Sequence, residues 1–148
     1  MLRALARGEV IMSNTVEPLV WDKRYAIGVD RIDREHESLF ANYNVFVQST
    51  QNAGDATAVK FGIDLLTNYA ANHFANEESV MRAANFPELR THIVEHERFL
   101  DELSRMKNAF SAGEPVYDAV CTFYRTWLTN HITINDRKLG AFVYGLGG

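Results

Sequence analysis

Cysteine occurs once in these 148 residues, at Cys121, and proline only three times. A single thiol excludes an intrachain disulfide framework and any zinc or iron–sulfur site built from several cysteines. No proline-rich linker, repeat or low-complexity tract divides the chain, and the length suits about one domain. No stretch approaches the roughly 20 consecutive apolar residues that span a bilayer, so no membrane insertion is expected. An excess of basic residues is also missing. Lysine and arginine number 15 against 19 aspartates and glutamates, a net charge of −4. That balance leaves no electrostatic footprint for nucleic acid or anionic lipid. The run Met1-Leu2-Arg3-Ala4-Leu5-Ala6-Arg7 is too short for a signal-peptide core, so a cytoplasmic location is the default expectation. Met12 opens a second candidate N-terminus.

Apolar residues make up 47% and charged residues 23% of the chain, as in an ordinary globular domain. Residues 1–17 are expected to form a flexible tail, 18–144 a single bundle, and 145–148 a frayed end. From Pro18 to Val29 the pattern is irregular and suits an arm packed on the body. A first helix runs from Asp30 or Asp33, either of which can cap it, to about Thr50. Its apolar positions Ile32, Leu39, Phe40, Tyr43, Phe46 and Val47 recur at helical steps. Asn52-Ala53-Gly54-Asp55 is turn chemistry. A second helix spans Asp55 to Ala84, with Phe61, Leu65, Tyr69, Phe74 and Met81 as its apolar content. A third runs from Pro87 to about Ala112, and Gly113 and Pro115 separate it from a fourth that reaches about Thr133. Asp136 to Tyr144 is expected to be partly helical. Sustained strand alternation is lacking. The expectation is an all-α fold: an up-and-down antiparallel four-helix bundle with an N-terminal arm and a short C-terminal helix.

Histidine is scarce as well, and its placement is informative. The five are His36, His73, His92, His96 and His131. His73 and Glu77 are four apart, as are His92 and His96, so each pair shares a helix face. His131 and Asp136 are five apart, which a regular helix would splay by roughly 140°. For both to aim inward, the helix must end, bulge or bend near Thr133-Ile134-Asn135. In an up-and-down bundle, residues equally far from a shared turn lie level. His36 lies 17 residues before Ala53 and His73 lies 20 after it; His96 lies 17 before Gly113 and His131 lies 18 after it. All five imidazoles can therefore meet in one core layer with Glu77 and Asp136. Burying five imidazoles together is costly without a metal. The set exceeds the four ligands of a structural zinc site and lacks the oxygen-rich shell of calcium or magnesium. Imidazole with carboxylate suits iron, among others. If both carboxylates and one further oxygen bridge, the set serves two six-coordinate ions and leaves one position open.

Trp21, Ile27-Gly28-Val29-Asp30, Ile32-Asp33 with His36, His73-Phe74 with Glu77-Glu78 and Met81, Phe86-Pro87, His92 with His96 and Phe99, and Trp127-Leu128 with His131-Ile132 and Asp136 resemble the bacterial hemerythrins. The resemblance runs from about Trp21 to Tyr144 and fills all seven metal-ligand positions of that family. It implies reversible dioxygen binding at a non-haem di-iron centre bridged by an oxo or hydroxo group, in a binding protein rather than an enzyme. By this resemblance His92, His96 and His131 hold the coordinatively full iron, and His36 and His73 hold the iron with the open position. Glu77 and Asp136 bridge the pair. Leu39, Phe74, Trp127 and Leu128 correspond to the apolar oxygen pocket. The role implied is storage, transport or delivery of O2. The alternatives are an oxygen or redox sensor working through a separate protein partner, and a weak di-iron oxidase or peroxidase.

Two short patterns compete with this reading. His92-Ile93-Val94-Glu95-His96 matches the H-x-x-E-H of some zinc proteases, but leaves three histidines without a role. Ferritin-like di-iron proteins use Glu-x-x-His pairs. No histidine here follows a glutamate by three residues, and the nearest case is Asp33 before His36. Glu95 is expected on the helix surface, Glu78 beside the site or in solvent, and Cys121 as a small buried residue.

Overall fold

The computed structural model of the protein describes residues 17–51 and 55–147. The expectations for the tail up to residue 16, the alternative start at Met12, the turn residues 52–54 and the terminal Gly148 lie outside this range. Four long helices carry the fold: α1 (Asp30–Ser49), α2 (Ala56–Ala84), α3 (Leu89–Ser111) and α4 (Tyr117–Asn130). A π-helical turn, His131–Asp136, joins α4 directly to α5 (Arg137–Gly147). Cross-helix pairs fix the antiparallel order. His36 on α1 meets His73 on α2 while Phe46 lies over Gly62, and Asp64 on α2 meets Lys107 on α3 while Glu78 meets His96. Thr50 meets Tyr117 while Tyr43 meets Tyr124. In each pair of helices, one number rises as the other falls. No described helix is long and apolar enough to cross a membrane.

Local chemistry sets the helix ends. Asp55 caps α2 by accepting from the amides of Thr57 and Ala58 at 3.0 and 3.3 Å. Asn85 ends α2 in the left-handed conformation, φ 57°, with Phe86 N–H returned to Met81 O at 2.9 Å. Gly113, φ +94°, turns the chain between α3 and α4. At the start of α1 the expectation needs correction. Neither Asp30 nor Asp33 is the N-cap; Val29 occupies that position, without a side-chain cap. The Asp33 carboxylate instead reaches back to the amides of Ile27 and Gly28 at 2.8 and 3.0 Å, tying the arm to the first turn. Pro87 lies in a turn, and α3 begins two residues later than expected.

The burial pattern of α2 divides its apolar content between two faces. Val59, Ile63, Leu66, Ala70, Phe74 and Met81 face the core. Phe61, Leu65 and Tyr69 do not; they are 64%, 41% and 47% exposed. At about 100° per residue, Phe61 points nearly opposite to Ile63, and steps of four carry the same outer stripe through Leu65 and Tyr69. Val59 and Ala70 share the inner face with the larger Ile63, Leu66, Phe74 and Met81.

Two apolar clusters stack along the bundle. The larger includes Leu39, Phe40, Tyr43, Phe46, Leu66, Phe99, Leu103, Tyr124 and Leu128. The smaller, at the end where the arm and α5 meet, comprises Ile27, Ile32, Met81, Phe86 and Leu139. Between them lies the layer holding His36, His73, His92, His96 and His131. The arm is ordered as expected: Leu19, Tyr25 and Ile27 are buried, and Tyr25 packs edge-on to Phe40 with centroids 4.9 Å apart. Asn44 pairs with the Leu19 backbone through two hydrogen bonds of 2.8 Å.

Candidate metal centre

All five histidines, Glu77 and Asp136 are buried in one layer. Residues four apart on α2 and α3 share a face, which accounts for His73 with Glu77 and for His92 with His96. The π turn accounts for the rest. Its wider ladder, with the Arg137 amide bonded to Ile132 O five residues back, brings His131 and Asp136 onto one side. The bulge, bend or break expected near Thr133 is thus a bulge, and the helix continues through it into α5 rather than ending.

The carboxylate oxygens divide between two sets of imidazoles. Glu77 Oε1 lies 2.9 Å from His92 Nε2, 3.0 Å from His96 Nε2 and 4.0 Å from His131 Nε2. Glu77 Oε2 faces the other way, 3.5 Å from His36 Nε2 and 3.3 Å from His73 Nε2. Asp136 repeats the division. Its Oδ1 is 2.9 Å from His92 and 3.2 Å from His131, and its Oδ2 is 3.0 Å from His36. Two groups able to hold a metal follow: Glu77, Asp136, His92, His96 and His131, and Glu77, Asp136, His36 and His73.

The donor set fits bound metal better than it fits a hydrogen-bond network. His36 Nε2, Glu77 Oε2 and both Asp136 oxygens are buried without a hydrogen-bond partner among the described residues, although each has a polar neighbour within about 3.5 Å. The candidate ligand atoms of each group all lie within 4.8 Å of one another, close enough to share one ion. His131 Nε2 and His92 Nε2 approach to 3.0 Å. Two metal-bound nitrogens at about 2.1 Å and a right angle lie about 3.0 Å apart.

Electrostatics in this layer point the same way. Burial pushes the Glu77 carboxyl up, but contacts with His36, His73, His92 and His96 outweigh it and hold Glu77 well below the usual carboxylate range. Burial and the Glu77 charge push Asp136 up, and His131 and His36 outweigh both. Burial lowers His73, but Glu35 and Glu77 raise it to about 10; burial lowers His92, but Asp136 and Glu77 raise it to about 9. The carboxylates therefore hold positive charge in this layer, and protons and metal ions compete for the same lone pairs.

Of the four apolar positions expected beside the site, Phe74 stacks on His96 at 3.8 Å and Trp127 on His131 at 4.3 Å, ring centroid to centroid. Leu39 lines a cleft of about 150 Å³ with His73, Glu35 and Asn76. Leu128 is buried in the larger cluster. Two carboxylates touch the centre from outside. Glu78 accepts from His96 Nδ1 at 2.7 Å. Glu35, which the sequence reading passed over, accepts from His73 Nδ1 at 2.7 Å. Its contact crosses from α1 to α2, so no spacing within one helix signals it.

Fold and site together define a class: a four-helix bundle with a buried centre of five histidines and two carboxylates. The chain belongs to the hemerythrin family, since residues 27–143 match the family described as the hemerythrin HHE cation binding domain. It is 34% identical over 119 residues to a bacteriohemerythrin of Stenotrophomonas maltophilia, covering 80% of this chain and 77% of that one. It is 32% identical over 121 residues to the myohemerythrin of Riftia pachyptila, covering 82% and 90%. A crystal structure of wild-type hemerythrin superposes with a TM-score of 0.76 at 26% identity, covering 83% of this chain and 95% of that one.

Proposed function

We propose that the protein binds dioxygen reversibly at a non-haem di-iron centre, for storage, transport or delivery of O2 in the cytoplasm. The observation that most supports this reading is the division of Glu77 and Asp136, each of which offers one oxygen to each histidine set. In this assignment His92, His96 and His131 would hold one iron, and His36 and His73 the other. Glu77 and Asp136, each with one oxygen toward either histidine set, would serve both irons. When bound, the iron pair supplies the electrons and the Lewis acidity on which reversible O2 capture depends. The chain supplies the surroundings. Phe74 and Trp127 cover the imidazoles of His96 and His131. With Leu39 and Leu128 they form the apolar wall that limits water around the irons.

Metal analysis with optical spectra of the reduced protein, before and after air, tests the reading. Two irons per chain and an absorption band that appears in air and vanishes when O2 is removed are expected. One zinc per chain, or steady O2 consumption while a reductant turns over, overturns it.

A further inference from the structure

We propose that Glu35 and Glu78 are positioning residues, one for each ion of the metal pair. This rests on the di-iron reading above. Glu35 governs the ion held by His36 and His73, and Glu78 the ion held by His92, His96 and His131.

The inward atoms of the five imidazoles are Nε2, as the contacts with Glu77 and Asp136 require. A neutral imidazole that gives Nε2 to a metal carries its proton on Nδ1, and that proton needs an acceptor. A carboxylate accepts only, so Glu35 Oε1 and Glu78 Oε2, each 2.7 Å from an Nδ1, lock His73 and His96 in the metal-binding tautomer. His36 Nδ1 and His131 Nδ1 are buried without a partner among the described residues. Each histidine set thus contains a ligand oriented by a carboxylate beside one that is not.

Glu35 is itself held in place. Asn76 Nδ2 donates to its Oε2 at 2.8 Å, and Arg31 Nε lies 3.5 Å from the same oxygen. Its side chain is 24% exposed and Glu78's 18%, so neither carries the full cost of a buried charge. The two act across different helix pairs. Glu35 on α1 orients a ligand on α2, and Glu78 on α2 orients a ligand on α3. Removing either leaves the seven ligands in place but frees one imidazole to rotate or change tautomer. A loss of about 10–100-fold in affinity is the usual effect on the ion concerned.

Anaerobic titration of the metal-free full chain with Co(II), followed by its optical bands, tests this without reference to oxygen binding. Wild-type protein takes up two ions. Glu35→Ala weakens one of them about 10–100-fold and leaves the other within about threefold. Glu35→Gln keeps an acceptor oxygen opposite Nδ1 and loses less. The double variant His36→Ala, His73→Ala keeps only the three-histidine ion. In that background Glu35→Ala changes affinity by less than about threefold, whereas Glu78→Ala weakens it about 10–100-fold. Two ions in wild type with no loss in Glu35→Ala, equal weakening of both ions, or equal losses in Glu35→Ala and Glu35→Gln overturns the proposal alone. Fewer than two ions in wild type overturns the di-iron reading, and the proposal with it.

Discussion

At the scale of single residues, each candidate role can be tested by one substitution. His131 is the only histidine on α4 and the π turn, and its Nε2 lies 3.0 Å from His92 Nε2 and 3.2 Å from Asp136 Oδ1. His131→Ala is therefore expected to abolish two-iron loading, and unchanged iron content would remove it from the ligand set. Leu128 lies just below this layer, in the larger cluster. Leu128→Ala should leave iron content intact but open a cavity that admits water, so the oxygenated form is expected to autoxidise faster. An unchanged rate would take Leu128 out of the pocket. Cys121 contrasts with both. It is buried, and burial pushes its thiol up to about 11 from an ordinary value near 9. At pH 8 the folded protein should resist a thiol reagent that labels the denatured chain fully, and rapid native labelling would contradict this burial. Below about pH 9 the thiol is neutral in both states, and toward pH 11 only the unfolded chain releases its proton, so stability falls as pH rises through this window.

At the scale of elements, periodicity and chemistry differ in what they disclose. The four-residue steps of His73 to Glu77 and His92 to His96 are visible on any helix. The five-residue step of His131 to Asp136 is visible as a conflict, and the π turn is its resolution. The inward face of α2 was harder to read. Phe61, Leu65 and Tyr69 form as regular a stripe as Val59, Ile63, Leu66 and Ala70, and the rings of Phe61 and Tyr69 make it the more conspicuous in sequence. Only the pairing with α1 and α3 decides which stripe is buried. Phe61→Gln is thus expected to change stability by less than about 0.5 kcal/mol. Ile63→Ala, at a fully packed position, should cost about 2–5 kcal/mol. Urea melts of the two variants test the assignment, and a larger loss at Phe61 would reverse the faces. Glu35 shows a second kind of blind spot. It sits beside His36 in sequence but serves His73 across the helix pair, a relation that exists only once α1 and α2 have docked.

At the scale of the molecule, the layer of five histidines, Glu77 and Asp136 is closed by parts distant in sequence. The arm crosses this end of the bundle, and α5 returns to meet it. Gly140 is one point of contact: a Cβ there would lie 2.2 Å from the carbonyl oxygen of Ile27. That oxygen is not free to swing away. The Ile27 and Gly28 amides are held by Asp33, and Gly28 O accepts from Tyr144 OH at 2.9 Å. Two effects of Gly140→Ala therefore oppose each other. Inside a helix, alanine gains about 1 kcal/mol over glycine. Overpacking against fixed backbone costs about 1–3 kcal/mol, and a contact this short calls for the upper part of that range. The expected result is net destabilisation, with the arm and α5 prised apart and Leu139 shifted from the cluster that caps the metal layer. Denaturant melts give the sign, and hydrogen exchange at the Ile27 and Gly28 amides shows whether the arm is the part that yields. If Gly140→Ala raises stability and leaves those amides protected, propensity has won, and the arm does not pack on α5 as closely as described. Gly113 provides the control. No atom lies within 4 Å of its Cβ position, so Gly113→Ala meets only the backbone penalty of φ +94° and should leave the arm amides untouched.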